Sequence, residues 1–100
     1  MAKALKVSFT RTAYTQLQAI RRYDRNAILD AVREQLAYAP TTETRNRKPL
    51  RENPLADWEL RVGAHRVFYE VDTNDNSVRV IAVGVKDGNR LIIGGQEVVL

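Results

Sequence analysis

Apolar and polar positions change their spacing along the chain, and each change marks an element. LKVSFT (5–10) alternates and carries Val7 and Phe9, the spacing of a short strand. From Thr12 to Tyr38 the spacing turns helical. Ala13, Leu17 and Ile20 recur at helical intervals, and so do Ile28, Val32, Gln35 and Leu36. Arg21 to Arg25 separate the two stripes, with Asp24 as N-cap of the second helix, so the segment reads as a helical hairpin ending before Pro40. Residues 40–56 have no period and hold every proline of the chain, which predicts a surface loop. From Asp57 the alternation returns. DWELRV, HRVFYEVD and SVRVIAVGV predict a three-stranded meander, turning at Gly63-Ala64 and at TNDN (73–76). The tail turns at Asp87-Gly88, runs through Leu91 to Ile93, and is interrupted by Gly94-Gly95.

A two-residue turn at Gly63-Ala64 sets the register. It places Trp58 across from Tyr69, Leu60 from Val67 and Val62 from His65, an apolar face that should meet the helices. The same register carried through the next turn pairs Val71 with Val78 and Glu70 with Arg79. The opposite face then holds Glu59, Arg61, Arg66, Phe68, Glu70, Arg79, Ile81 and Val83, with Arg61 directly opposite Arg66. Opposed like charges destabilise a sheet. Two guanidiniums mixed with apolar side chains therefore suggest a concave surface for something anionic with apolar parts, either an RNA strand or an acidic amphipathic peptide. The alternative is ordinary surface, with Glu59 and Glu70 neutralising the arginines diagonally.

Composition narrows the classes. The 100 residues suffice for one domain spanning 1–100, with 44% hydrophobic and 28% charged residues. Net charge is +4 and the pI is near 9.8, which favours nucleic acid or an acidic protein as partner. There is no cysteine and one histidine, His65, which excludes disulfides and Cys- or His-cluster metal sites. No metal or other cofactor is expected. The absence of cysteine fits a cytoplasmic protein, the N-terminus is too short and polar for a signal peptide, and VIAVGV (80–85) is far short of a membrane span.

The hairpin, the Lys48-Pro49-Leu50 segment, LADWELRVGAHRVFYEVD and the following VIAVGVKDGNR together resemble the RelE/ParE superfamily of toxins from type II toxin–antitoxin systems. The resemblance spans nearly the whole chain, and the run from Trp58 to Tyr69 is its most specific part. It implies an α+β fold of order β-α-α-β-β-β, with the helical hairpin on one face of a small antiparallel sheet. It implies a cognate antitoxin whose extended segment wraps the toxin. It also implies one of two activities: RelE-like members cut messenger RNA in the ribosomal decoding site, and ParE-like members poison DNA gyrase. A toxin-derived binding module without toxicity is a third reading. The RNA-cleaving activity is the main expectation, as a metal-independent endoribonuclease.

Metal-free RNA cleavage needs a base for the 2′-hydroxyl, an acid for the leaving 5′-oxygen and cations for the phosphorane. The resemblance assigns the cations to Arg61 and Lys48, and Arg66 lies opposite Arg61. Arg45, Arg47, Arg51, Lys86 and Arg90, with Phe68 and Ile81, are the expected contacts to RNA or to the partner. In the family the acid–base groups often come from the tail as Tyr, His, Arg or Glu. This tail holds no Tyr or His. Trp58, His65 and Tyr69 alternate onto the helix side and are expected to be structural.

Overall fold

The computed structural model describes residues 4–100. Strand β1 (Lys6–Phe9) leads into helix α1 (Arg11–Gln18) and helix α2 (Arg22–Gln35). Six strands follow: β2 (Arg47–Pro49), β3 (Trp58–Val62), β4 (His65–Asp72), β5 (Ser77–Asp87), β6 (Arg90–Ile93) and β7 (Gln96–Val98). They form one sheet of order β2-β3-β4-β5-β6-β7, and β1 pairs in parallel with the first part of β5. The expected α+β architecture is present: two helices lie against one face of a mainly antiparallel sheet.

Thr10 starts α1. Its hydroxyl accepts from the Ala13 amide at 3.0 Å and donates to the Ile81 carbonyl at 3.1 Å, so one side chain caps the helix and ties it to β5. The cap of α2 is Arg21 rather than Asp24. Asp24 lies in the first turn, where a carboxylate suits the helix dipole, and its side chain is 2.9 Å from Arg21 Nε.

The meander register is the expected one. Trp58 faces Tyr69, Leu60 faces Val67, Arg61 faces Arg66, and Glu70 faces Arg79. Leu60, Val67 and Tyr69 are buried against Ala13, Leu17, Ile28, Val32 and Leu36, with Trp58 stacked on Tyr69 at 6.2 Å. The Tyr69 hydroxyl donates to the Pro40 carbonyl at 2.6 Å and so satisfies its buried oxygen.

Three features depart from the sequence expectation. A β-bulge puts Phe68 opposite Ala82 and Tyr69 opposite Val80, which leaves Ile81 as the extra residue of β5. The insertion reverses the phase beyond it, so Val83 packs in the helix-side core opposite Val67 and not on the outer face. Within the expected loop, β2 pairs with β3 through Arg47, Lys48 and Pro49. It is an edge strand of three residues, too short to leave an alternation, and an edge position tolerates a proline. The tail folds back as β6 and β7. Gly84 permits this, because a Cβ there would stand 2.7 Å from the Ile92 carbonyl oxygen and from Ile93 Cγ1.

Candidate functional site: a cationic cleft on the outer face

The outer face of the sheet carries a small core of its own. Phe68, Ala56 and Ala82 are buried there beneath Leu50, Leu55, Ile81, Leu91, Ile93 and Leu100. Phe68 is 0% exposed, so the expected contact of this ring with a partner is corrected: it is the centre of a second core. Ile81, also expected to meet a partner, is half-buried against that cluster. Asn53 holds the covering loop. Its Oδ1 accepts from the amides of Leu55 and Ala56 at 2.7 and 3.1 Å, and its Nδ2 donates to the carbonyls of Arg51 and Ala56 at 2.7 and 3.0 Å. One side chain thus replaces four backbone pairings and fixes the segment that presents Arg51.

Beside this core lies a cleft of about 390 Å³. Four basic side chains from separate segments line it: Arg51 from the loop, Arg61 from β3, Lys86 from β5 and Arg90 from β6. Glu59 and Glu97 also line it, together with Leu50, Leu91 and residues 98–100. Four residues singled out from the sequence therefore converge, although they are up to 39 positions apart (51 to 90).

The opposed arginines answer to one carboxylate. Glu59 Oε2 is 3.1 Å from Arg61 Nε, and Oε1 is 3.9 Å from Arg66 Nε. Glu59 is placed to offset the repulsion from the adjacent row of the ladder. The two guanidiniums are otherwise unlike. The Arg61 side chain is 47% exposed and lines the cleft, whereas that of Arg66 is 15% exposed. Arg66 Nη1 donates to the carbonyls of Gly63 and His65, each at 2.9 Å, and so clamps the β3–β4 turn. Burial lowers the Arg66 pKa from its ordinary value, Glu59 opposes this, and Arg61 adds to it. Arg66 is still a cation at neutral pH, because guanidinium holds its proton.

Other expected site residues lie apart from the cleft. Lys48 is on β2, across the ladder from Glu59, with Nζ 3.6 Å from Glu43 Oε2. Arg45 is exposed in the preceding loop. Arg47 turns to the helix side: its Nη1 donates to the Gln35 carbonyl at the end of α2 at 3.0 Å, and its Nε donates to the Thr42 carbonyl at 3.0 Å. Arg47 thereby has a structural role that the sequence reading did not assign, closing a helix terminus. His65 lines a separate apolar pocket of about 230 Å³ with Gln16, Ile20 and Val83, away from Arg61.

The residues that pattern reading missed are Glu97 and Asn53. The turn-forming Asn53-Pro54 pair signals a loop, but nothing local signals that Glu97 folds back beside Arg90.

A family model described as "ParE toxin of type II toxin-antitoxin system, parDE" matches residues 7–88. Among solved structures, a chain of the RelBE2 toxin–antitoxin complex from Mycobacterium tuberculosis is similar at a TM-score of 0.73 and 25% identity, covering 84% of this chain and 93% of that one. A chain of the archaeal RelE–RelB complex from Pyrococcus horikoshii OT3 shares the fold at a TM-score of 0.65 and 21% identity, covering 80% and 92%. No curated protein sequence matches significantly. With 82 of its 100 residues matched (7 to 88), the chain belongs to the ParE toxin family of type II toxin–antitoxin systems.

Proposed function

We propose that this toxin, as a single domain over residues 1–100, inhibits growth by cutting messenger RNA on the ribosome through the outer-face cleft, and that a cognate antitoxin restrains it. The convergence of Arg51, Arg61, Lys86 and Arg90 on one cleft carries this reading. A phosphodiester seated there meets Arg61 as the accessible guanidinium near the end of β3. Attack of the 2′-oxygen on phosphorus expels the 5′-oxygen and concentrates negative charge on the phosphoryl oxygens, where a fixed guanidinium stabilises the transition state. Arg66 acts as a positioning residue by holding the turn after Arg61, and Lys48 adds positive potential beside Glu59. Arg45 tracks the strand from the β2 loop.

For the antitoxin, support comes from a groove of about 300 Å³ between β1 and α2, lined by Leu5, Val7, Phe9, Leu29, Val32 and Ala37, with Arg33 among them. An amphipathic segment with an acidic residue facing Arg33 suits it. The proposed location is the cytoplasm, where ribosomes are.

The second reading is a gyrase poison that works by binding. One observation favours it: all four tyrosines and His65 lie outside the cleft, so neither phenol nor imidazole is there to move a proton. Induced expression with messenger RNA cleavage mapping and DNA-break assays separates the two. Cleavage at codons by the wild type, and its loss in Arg61→Ala, is the expected result. Intact messenger RNA together with gyrase trapped on broken DNA sinks the nuclease reading.

A further inference from the structure

The family match ends at residue 88, yet the chain continues into the β6–β7 hairpin and forms one wall of the cleft. This wall has a definite chemistry. Glu97 reaches back to Arg90, Oε1 to Nε at 2.7 Å, and lines the cleft beside Arg61, Lys86 and Arg51. Residues 98–100 follow along the same wall, and Leu100 packs on the Phe68 cluster. An acidic side chain followed by apolar ones is the chemistry expected of a segment that neutralises a basic, partly apolar surface.

We propose that the β6–β7 hairpin is a built-in competitor for the cleft, in which Glu97 holds Arg90 away from incoming anions and residues 98–100 narrow the entrance. The proposal rests on the cleft as the anion-binding site. The hairpin, this strap across the cleft, is fixed by the β6–β7 ladder, but its contact to Arg90 is held loosely. Both members of the ion pair are about half exposed, at 60% for Arg90 and 49% for Glu97, and such pairs contribute little. Gly94 and Gly95, both at positive φ, form the turn that brings Glu97 back beside Arg90. A polyanion therefore displaces Glu97 at a modest penalty, and loss of the carboxylate removes that penalty.

The test compares the full-length wild type with Glu97→Gln, which keeps the shape and removes the charge. The probe is a fluorescently labelled single-stranded RNA of twelve nucleotides, titrated between 50 and 300 mM salt. One extra phosphate contact steepens the log–log salt slope by about 0.7 and tightens binding roughly fourfold near 150 mM. The gain should vanish in the Arg90→Gln background, where Glu97 has no guanidinium to hold. Equal affinities and slopes for wild type and Glu97→Gln overturn the proposal. So does an unchanged gain in the Arg90→Gln background, and so does the absence of measurable binding by both proteins at 50 mM salt. Messenger RNA cleavage is scored separately. A charge-dependent gain without cleavage leaves the strap standing and removes the nuclease reading, and cleavage without the gain does the reverse.

Discussion

The two faces of the sheet bury apolar side chains by different means. On the helix side, eleven buried residues from α1, α2, the link after α2 and three strands form a continuous core, and its polar groups are satisfied internally. On the outer side three buried residues are covered by a loop and a folded-back tail. Helices cover a sheet with regular stripes, so the first core has a period that sequence reveals. A loop and a hairpin cover it with isolated residues from distant positions, and they leave room for charge between them. The cleft lies on the thinly covered face for that reason.

The sharpest way to break this contrast is Phe68→Ala. If the outer cluster is a true core, the change costs about 3–5 kcal/mol in chemical denaturation. A loss below about 1 kcal/mol, the scale of an ordinary surface substitution, would mean the ring is merely covered and not packed. Gly84→Ala comes next. Its Cβ meets backbone at 2.7 Å, so β6 must shift, at a cost of about 1–3 kcal/mol. The tail should then show faster amide exchange from Arg90 onward, while the helix-side core keeps its protection.

Tyr69→Phe probes the helix side more gently. It removes a buried hydrogen bond to Pro40 and should cost about 1–2 kcal/mol near neutral pH. Burial raises the Tyr69 pKa, and Arg47 only partly offsets this. The folded protein thus keeps the proton when the unfolded chain begins to release it near pH 10. The stability held by this group is complete below that pH and drains away as pH rises above it. The wild type should lose stability through this alkaline range more steeply than Tyr69→Phe, and parallel profiles would contradict the assignment. The smallest change in stability belongs to Arg61→Ala, within about 0.5 kcal/mol, because its pair with Glu59 is half exposed and its loss relieves Arg66. Normal antitoxin binding with lost growth inhibition would separate folding from function at this residue. A melting temperature lowered by several degrees would show that Arg61 holds the fold.

The elements with many repeats of one period were legible: the helical stripes and the hairpin register from Trp58 to Tyr69 follow directly from side-chain alternation. The bulge at Ile81 was not, because an inserted residue changes the phase without changing composition, and Val83 consequently moved to the other face. Arg47 and Arg61 show the same limit at the site. Both are arginines in basic or alternating stretches, but one closes a helix terminus and the other lines the cleft. Only the pairing of β2 with β3 decides between them. Arg51, Arg61, Lys86 and Arg90 were readable as residues, whereas their convergence required the tail to fold back past Gly84.

The parallel pairing of β1 with β5 also sets a timetable. Thr10, the cap of α1, bonds to Ile81, 71 positions later in the chain. The sheet cannot close around its helices until that late strand exists, and closing so long a loop slows folding relative to a helical protein of this size. Ribosomes add about 5–20 residues per second, so the chain spends several seconds growing while its first strand waits for a partner. The wall that carries Glu97 is synthesised after even that. The newborn chain therefore passes through a period in which β1 has been made and its partner strand β5 has not.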